Sequence, residues 1–414
     1  MADRHMAAAA DTSGRMHALD GLRGTMMLLG LVLHGACSYM VTGLGKVWPY
    51  QDPTLSGSAD FLVSFIHVFR MPIFFVLAGL FAAMLFSKRG AAGLLENRSR
   101  RIGIPFAIAL LLLFPLTNFG FIFAIVAAKS SIAAGWAAVF AVAQTSPPYL
   151  PTFTMRLWFL YYLLYFYVGA VLIAAACKRL PAAWRNAVAT AFWPLVQQPV
   201  LRVVLPGVVT ALTLAPIQGF LHTTTGFVPN TWIVLDYGEF YGFGWLLYAQ
   251  RDVIADFRRL AWAQVAGGLV IYVAVKYFIA PLFGADQATG PALVLWSLTG
   301  SIVAWMMFFG ATGLFLRYLD KPSAVMRYIV DGSYWVYLVH LPFLLFVVGI
   351  LSGTHLTVGA KMLIVMSSAT VFGFVTYDLF VRATFIGRVL NGQKYPRALA
   401  LPQIHAGLPT PAGR

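Results

Sequence analysis

An arginine and a histidine stand eleven residues apart on the first apolar segment of the chain. This segment, GLRGTMMLLGLVLHGACSYM, contains Arg23 and His34. Eleven residues make about three helical turns, so both side chains share a face, about 16 Å apart along the axis. An imidazole held at that depth in a membrane can accept a proton from a reacting hydroxyl. The alternative is that Arg23 reaches lipid headgroups and His34 is a hydrogen-bonded core histidine.

The second apolar segment carries a histidine and an arginine one turn apart. His67 and Arg70, in HVFRMPIFFVLAG, share a helix face and lie about 9–14 Å below the point where the segment enters the membrane. That depth is close to the depth of His34. An arginine so deep needs a partner. We expect Arg70 either to stabilise an oxyanion or to form a structural hydrogen bond with a carbonyl or a tyrosine.

A third polar stripe runs along DGSYWVYLVHLPFLLF. Ser333, Tyr337 and His340 recur there at helical spacing, and Pro342 just beyond them can kink the helix. His340 falls at mid-depth and is a candidate auxiliary residue. The alternative is a packing histidine bonded to a tyrosine.

The sixth apolar segment opens with two acidic side chains. Asp236 and Glu239, in LDYGEFYGFGWLLY, are one turn apart and share a face near the outer end of the segment. They could bind a hydroxyl-rich acceptor or neutralise Arg70 or Arg156. The sequence favours neither interpretation.

A basic cluster, ENRSRRIGIP, is predicted to open the third helix. Arg98 and Arg101 belong to it. Guanidinium groups at the start of a helix can hold phosphates. The alternative is the ordinary positive charge of a cytoplasmic loop.

The composition is that of a membrane protein. Of 414 residues, 60% are hydrophobic and 10% are charged, whereas ordinary soluble domains carry about 25% charge. The net charge of +15 fits Lys and Arg gathered in cytoplasmic loops. We expect no nucleic-acid binding, because no basic helix with polar spacing occurs. We also expect no metal site and no disulfide, because Cys37 and Cys177 fall near opposite ends of predicted spans.

The apolar runs predict an all-α, polytopic bundle of about ten transmembrane helices. Each run must be helical, because backbone polar groups find no water in lipid. The predicted spans are 19–42, 61–86, 103–128, 155–177, 200–221, 231–249, 260–281, 292–317, 329–351 and 358–381. The first is expected to be retained rather than cleaved as a signal peptide.

The distribution of basic residues predicts that both termini are cytoplasmic. With the N-terminus inside, the even-numbered loops and the tail carry most of the Lys and Arg, and the opposite loops carry few. Counting the short apolar segment 130–144 as a span would reverse every later loop, so we expect it to be interfacial or re-entrant. We predict one membrane domain, residues 16–394, between disordered tails 1–15 and 395–414. No internal repeat supports an inverted-repeat transporter.

Taken in order, these segments resemble the membrane acyltransferase-3 family. LDGLRGTMMLLGLVLH is similar to its first-helix signature, an arginine and a histidine separated by ten residues. FRMPIFFVLAG, the R-x-x-R of RSRR, LWFLYYL and SYWVYLVHLP are similar to its later landmarks. HVFRMPIFF and YDLFVRATFIGRVLNGQ resemble, more narrowly, the glucans biosynthesis protein C branch. The resemblance covers about residues 16–394.

The resemblance implies a bacterial inner-membrane enzyme that moves a succinyl group from cytoplasmic succinyl-CoA to hydroxyls of osmoregulated periplasmic glucans. It implies that Arg23 and His34 are needed for activity, and that Arg98 and Arg101 lie on the side of the acyl-CoA phosphates. Acyl-CoA is then a co-substrate, and no permanently bound cofactor is expected. A homo-oligomer or a partner from the glucan-synthesis machinery stays open.

Helical spacing and the resemblance together give a mechanistic hypothesis. Arg98, Arg101 and Arg23 hold the phosphates at the inner surface, and the pantetheine arm reaches His34. His34 then either takes the proton from a glucosyl hydroxyl or is itself acylated first. Arg70 or a tyrosine stabilises the oxyanion, and Arg70 is also the candidate partner of the succinyl carboxylate. The alternatives are an acetyltransferase of another envelope polysaccharide, a non-enzymatic exporter, and a sensory or scaffold protein.

Overall fold

The chain folds into helices. A computed structural model describes residues 16–145, 150–217, 219, 223–283 and 289–398, and within them no strand occurs. The predicted tail 1–15 and residues 399–414 of the other predicted tail lie outside the described residues. The helices are α1 His17–Cys37, α2 Gly57–Arg98, α3 Ile104–Lys129, α4 Ile132–Thr145, α5 Trp158–Cys177, α6 Ala182–Gln197, α7 Leu201–Leu214, α8 Thr231–Ala249, α9 Ala261–Ala274, α10 Gly290–Tyr318, α11 Ala324–Leu351, α12 Val358–Thr376 and α13 Phe385–Asn391.

Several helices can cross a membrane, although the count differs from the predicted ten. Each predicted span contains a helix. Six described segments are long and apolar enough to span: Gly57–Lys129, Met155–Cys177, Arg251–Leu282, Gly290–Tyr318, Ala324–Leu351 and Val358–Arg382. A seventh arises if Thr190–Gln197 and Leu201–Ile217, bent by 111°, form one span. The chain is therefore a multi-pass helical membrane protein, and the number ten and the sides of the termini stay predictions.

The difference in count has two physical sources. The 73-residue segment Gly57–Lys129 contains both the second and the third predicted spans. The predicted first and sixth spans, α1 and α8, are not among the six. Each carries two charged side chains, Asp20 and Arg23 in α1 and Asp236 and Glu239 in α8, which lower the mean hydropathy.

Helix α2 extends well beyond the predicted second span. Its 42 residues correspond to about 63 Å, twice the thickness of the hydrocarbon core. The helix direction changes at Gly90, whose φ of 66° is tolerated by glycine. A π-helical segment, Ser99–Gly103, then continues into α3. The prediction that Arg98 and Arg101 open the third helix is therefore wrong.

The basic cluster instead ends α2 and forms the π-helical segment. Its backbone amides are used within the helix: the Ser99 N–H donates to the Glu96 carbonyl and the Ile104 N–H to the Ser99 carbonyl. No free helix N-terminus is left there to hold a phosphate. Phosphate recognition at Arg98 and Arg101 would thus depend on the guanidinium groups alone.

Two described helices lie where the sequence predicts connections. Helix α4 is short and apolar, as segment 130–144 suggested, and its Gly135 packs against Phe123 of α3. Helix α6 was missed, because Lys178 and Arg179 just before it favoured a cytoplasmic loop. Pro181 is in fact the N-cap residue of α6, a place where the absent amide costs nothing.

The core is built around the contact between α2 and α8. A methyl group at Gly79 would overlap the carbonyl of Tyr241, and one at Gly244 would overlap the carbonyl of Val76. The two helix backbones therefore touch, which is the small-residue packing that replaces a hydrophobic driving force in lipid. Helices α1 and α11 pack on one another and α2 packs on α1 and α5. Helices α1, α2, α5 and α11 all contribute side chains to the walls of the interior cavities described next.

Candidate active site

The two predicted mid-depth histidines meet in the interior of the bundle. Nδ1 of His34, on α1, lies 2.8 Å from Nε2 of His340, on α11. Both side chains are buried. The two rings are nearly coplanar, with 8° between their planes. His34 is therefore a hydrogen-bonded histidine, as one interpretation of the sequence held, but its partner is a second histidine.

Backbone carbonyls determine which nitrogen atoms of a neutral histidine pair carry protons. Nδ1 of His340 lies 2.7 Å from the carbonyl oxygen of Tyr337 and 3.1 Å from that of Val336. A carbonyl only accepts, so His340 carries its proton on Nδ1, and its Nε2 accepts from Nδ1–H of His34. The remaining nitrogen of His34, Nε2, is then unprotonated. This is the state that a general base requires.

His34 lines a small cavity, which we call the histidine cavity. Its volume is about 40 Å³, enough for one water molecule or one reacting hydroxyl. Its polar lining comes from five separate parts of the chain. The polar lining residues are His34, His67, Arg70, Arg156, Thr223 and Tyr337. The structure thus brings together five residues that the sequence analysis named.

Arg70 lies beside His34 in the histidine cavity. Its side chain is 9% exposed, and its Nε–H has no hydrogen-bond partner in the described residues. Gly30 of α1 leaves room for it, because a methyl group there would overlap Nη1 of Arg70. His67, one turn earlier on α2, lines the same cavity. The predicted shared face of His67 and Arg70 thus points to the interior.

The connection between α1 and α2 places an aromatic ring against His34. The indole of Trp48 stacks on the imidazole, with ring centroids 5.9 Å apart and planes inclined by 19°. Nε1–H of Trp48 donates to Oγ of Ser38 over 2.9 Å. The guanidinium of Arg156 lies 5.0 Å over the indole and donates to the Val47 carbonyl. Trp48 therefore packs on the imidazole of His34, whose Nδ1 is bonded to His340.

A buried ion pair fixes the same connection to the bundle. Nζ of Lys361, on α12, lies 2.9 Å from Oδ1 of Asp52, and both side chains are fully buried. Lys361 also donates to Oγ1 of Thr54 over 3.2 Å. The Tyr50 hydroxyl donates to Asp52 over 3.4 Å, and burial followed by the Asp52 charge raises the pKa of Tyr50, so it stays protonated. Trp48 is carried by a well-anchored segment.

A second, larger cavity lies on the Arg23 side of the bundle. This arginine cavity has a volume of about 700 Å³, within the usual range for organic ligands. Two acidic residues, Asp20 and Asp331, also line it. Its basic lining residues are Arg23, Lys88, Arg89, Arg98 and Arg101. The cavity is therefore suited to a ligand with several negative charges.

The three arginines predicted to bind phosphates, Arg23, Arg98 and Arg101, all line the arginine cavity. Two of them also contact neighbouring side chains. Arg23 lies 3.4 Å from Asp20 and 5.4 Å over the Phe81 ring. The guanidinium of Arg98 lies 5.1 Å over the ring of Tyr167. Cation–π contacts leave the in-plane N–H groups of an arginine available for a ligand.

The two cavities adjoin. Three side chains line both of them: Met27 of α1, Phe74 of α2 and Phe159 of α5. Met27 lies between Arg23 and His34 on the shared face of α1. Ser333 of α11 lines the arginine cavity and Tyr337, one turn on, lines the histidine cavity. The two predicted stripes, on α1 and α11, thus face one interior path that an unbranched chain could follow.

Asp236 and Glu239 do not belong to this site. Oδ1 of Asp236 accepts from Thr213 over 3.1 Å, and Glu239 accepts from Thr210. Neither lines the histidine or the arginine cavity. Among the described residues, neither forms an ion pair with Arg70 or Arg156. One of the two interpretations, the neutralisation of Arg70 or Arg156, is therefore not seen in this part of the chain, because both carboxyl groups face α7 instead. Binding of a hydroxyl-rich acceptor stays a prediction.

Sequence reasoning missed Trp48 and the position of Arg156. Arg156 entered the sequence analysis only as a possible partner of Asp236 or Glu239, and Trp48 carried no spacing signal. Tyr337 lines the cavity as predicted, but its hydroxyl donates to the Arg156 carbonyl over 2.8 Å. Its backbone carbonyl, not its side chain, is the partner of His340.

Comparisons with known proteins agree with this architecture. Two relatives named Glucans biosynthesis protein C, from Salmonella paratyphi B (strain ATCC BAA-1250 / SPB7) and Salmonella heidelberg (strain SL476), are each 35% identical over 99 residues. The match covers 24% of this chain and 25% of each relative, so it spans about a quarter of their length. No solved structure gives a significant match to the chain.

The family assignment depends on a longer match. The sequence profile of the acyltransferase-3 family, described as an acyltransferase domain, matches residues 16–378. This range holds both histidines, the stacked Trp48 and all the basic residues of the arginine cavity. The chain is a membrane acyltransferase and belongs to the acyltransferase-3 family.

Proposed function

We propose that this chain transfers a succinyl group from cytoplasmic succinyl-CoA to a hydroxyl of a glucan on the other side of a bacterial inner membrane. Family membership supplies the reaction class. The name of the Salmonella relatives supports a glucan as acceptor. A succinyl donor is supported by the buried cation Arg70 in the histidine cavity, because a succinyl group ends in a carboxylate.

One observation carries the proposal: a polar cavity with an oriented imidazole adjoins a basic cavity through three shared lining side chains. An acyl-CoA has the same division, with a polyanionic head, a thin pantetheine arm and a thioester at the far end. The head fits the arginine cavity of about 700 Å³. The thioester would lie where the two cavities adjoin, and the smaller cavity, which has room for one hydroxyl, would have to widen to admit the succinyl group. Between them the arm would pass Met27, Phe74 and Phe159.

The donor head would be held by charge. Arg23, Arg98 and Arg101 contribute guanidinium groups to the arginine cavity, and each can bind a phosphate through two parallel hydrogen bonds. The excess of five basic over two acidic lining residues favours a ligand of several negative charges. An acyl donor with a single charge would gain much less from this cavity.

In the proposed reaction, His34 acts as general base and then as general acid. Nε2 of His34 takes the proton as the glucan hydroxyl oxygen attacks the thioester carbonyl carbon. The tetrahedral intermediate then collapses, the C–S bond breaks, and the proton passes from Nε2 to the departing thiolate of CoA. His340 accepts the Nδ1–H bond throughout and holds the ring in place. The products are a succinyl ester and free CoA.

Arg70 is the cation that would face the transferred group. The hydroxyl proton of Tyr337 is already donated to the Arg156 carbonyl, so that tyrosine is not free to donate to the substrate. The guanidinium of Arg156 is stacked on Trp48 and bonded to Val47. The unpartnered Nε–H leaves Arg70 available. We assign Arg70 to the succinyl carboxylate.

The test measures CoA release by the purified protein in lipid nanodiscs. Succinyl-CoA with periplasmic glucan should give release that depends on both substrates, and His34→Ala should lower the rate by about 10²- to 10⁴-fold, the usual contribution of a general base. His355→Ala, at an exposed histidine after α11, is the matched control. No release by the unaltered protein, or equal release by His34→Ala, would contradict the proposal; an exporter would release no CoA.

A further inference from the structure

The segment that follows α12 forms part of the wall of the arginine cavity. Four of its side chains line the cavity, and two of them are carboxamides: Leu390, Asn391, Gln393 and Tyr395. All four lie beyond residue 378, the last residue matched by the acyltransferase family. The family assignment therefore gives this part of the wall no role.

Hydrogen bonds from backbone and side-chain groups tie the segment to residues 378–382, which directly follow α12. The Ala398 N–H donates to Oδ1 of Asp378 over 2.8 Å, and Asp378 is fully buried. Nε of Arg382 donates to the Pro396 carbonyl over 2.7 Å, and the Tyr395 N–H donates to the Arg382 carbonyl over 3.0 Å. Residues 395–398, assigned to a tail by composition, are thus bonded to Asp378 and Arg382, and Tyr395 among them lines the cavity.

Tyr395 is further fixed by two arginines. Nη2 of Arg327, on α11, donates to its hydroxyl over 2.9 Å. The guanidinium groups of Arg327 and Arg382 lie 5.2 Å and 5.3 Å from the ring centroid. Gln393 donates to the same hydroxyl. Tyr395 is therefore held in place, and its hydroxyl orients the Gln393 side chain in this part of the wall.

The segment touches one of the proposed phosphate ligands directly. Gly392 ends α13 with a φ of 85°, and a methyl group at this glycine would overlap Nη2 of Arg101. Glycine is thus needed for two reasons, the left-handed backbone and the close approach of the guanidinium. The position of Arg101 in the cavity depends on the segment.

We infer that the segment Leu390–Tyr395 forms the nucleotide side of the donor site, with Gly392 positioning Arg101 and with Asn391 and Gln393 facing the nucleotide. A CoA head combines phosphates with a heteroaromatic base that has a hydrogen-bonding edge. Basic groups beside uncharged carboxamides match both parts. This inference rests on the proposed function. It adds that the enzyme prefers a donor with the nucleotide to one that has only the thioester arm.

The experiment compares two donors on the same purified protein in nanodiscs. One is succinyl-CoA, and the other is succinyl-pantetheine, which has the thioester arm without the nucleotide. Gly392→Ala, which displaces Arg101, should raise the KM for succinyl-CoA by about tenfold, the loss of one hydrogen bond to a charged group. Gln393→Ala should raise it by about fivefold, the loss of one uncharged hydrogen bond. Both variants should leave kcat unchanged. Neither should alter the KM for succinyl-pantetheine. Gly353→Ala, at a glycine in open space, is the control.

Equal KM changes for both donors, or none for either, would overturn the inference. Anionic lipid offers the same phosphate chemistry, so the measurement is repeated in nanodiscs of phosphatidylcholine and of phosphatidylglycerol. A KM effect seen only with phosphatidylglycerol would assign the segment to lipid and also overturn it. If the unaltered protein releases no free thiol from either donor, neither CoA from succinyl-CoA nor pantetheine from succinyl-pantetheine, the proposed function fails instead, so the two failures are distinguishable.

Discussion

Nδ1 of His34 and Nε2 of His340 lie 2.8 Å apart, although 306 residues separate them along the chain. The bond continues through Nδ1 of His340 to the Tyr337 carbonyl. His34 as the base, His340 as the orienting group and the Tyr337 carbonyl as the fixed acceptor therefore form a chain of hydrogen bonds. Hydrolases hold a catalytic imidazole in one tautomer by a similar arrangement. Here the orienting group is an uncharged imidazole, which avoids placing a carboxylate inside a lipid-embedded bundle.

The first prediction concerns the orienting role of His340. Leucine at this position removes both hydrogen bonds and frees the His34 ring, so kcat should fall with little change in KM. Glutamine can accept from His34 and donate to the Tyr337 carbonyl, so it should restore part of the rate. The loss for His340→Leu should stay below the roughly 10²- to 10⁴-fold expected when the base itself is removed.

The comparison of the two His340 variants separates positioning from packing. Thermal unfolding of each purified variant reports on stability alone. If glutamine and leucine lowered kcat equally while both variants stayed folded, His340 would have only a packing role.

The second prediction is that no acyl-enzyme accumulates. If His34 is a base, succinyl-CoA without glucan should give neither a burst of CoA nor a succinylated protein. Rapid-quench measurement of CoA and intact-protein mass spectrometry check both. A succinyl group found on His34 would support the covalent route, in which the same Nε2 lone pair attacks the thioester first.

The third prediction concerns donor choice. Without the Arg70 guanidinium, the succinyl carboxylate loses a charged hydrogen bond of about 1.5–3 kcal/mol, so Arg70→Ala should lower kcat/KM for succinyl-CoA relative to acetyl-CoA by about 10- to 100-fold. Arg251→Ala, at an exposed arginine, is the control. An equal loss with both donors would show that Arg70 does not recognise the carboxylate.

Local periodicity predicted which side chains share the helix faces that line the two cavities. The shared face of Arg23 and His34 follows from eleven residues making about three turns, and the same rule aligned Tyr337 with His340. What periodicity could not predict is the direct contact between the two histidines. That contact depends on how α1 packs on α11, and packing geometry is a property of side chains distributed over the whole chain.

Sequence reasoning missed side chains that lie in the loops between helices. Trp48 reaches His34 because the loop between α1 and α2 is anchored at Asp52, and no hydrophobic period marks such a loop. For Asp236 and Glu239, periodicity predicted the shared face but not the helix that this face contacts. Their shared face was real, but it turned toward Thr210 and Thr213 of α7.

The fourth prediction uses two glycines of α8 that differ only in their surroundings. Alanine at Gly244 would overlap the Val76 carbonyl, whereas at Gly242 there is open space. Gly244→Ala should therefore lower the unfolding temperature and the yield of folded protein. Gly242→Ala should be neutral or stabilising by up to about 1 kcal/mol, the helix propensity difference. Equal effects of the two substitutions would contradict the close contact between α2 and α8.

The last prediction concerns the buried pair of Asp52 and Lys361. Removing one partner leaves an uncompensated buried charge, so Asp52→Asn and Lys361→Met alone should each cost about 3–5 kcal/mol of unfolding free energy. The double variant leaves no isolated charge and should be more stable than either single variant. The loop that carries Trp48 would still lose its anchor, so kcat should fall even where the double variant regains stability. If the regained stability came with the full rate, the anchor would not position Trp48 on His34.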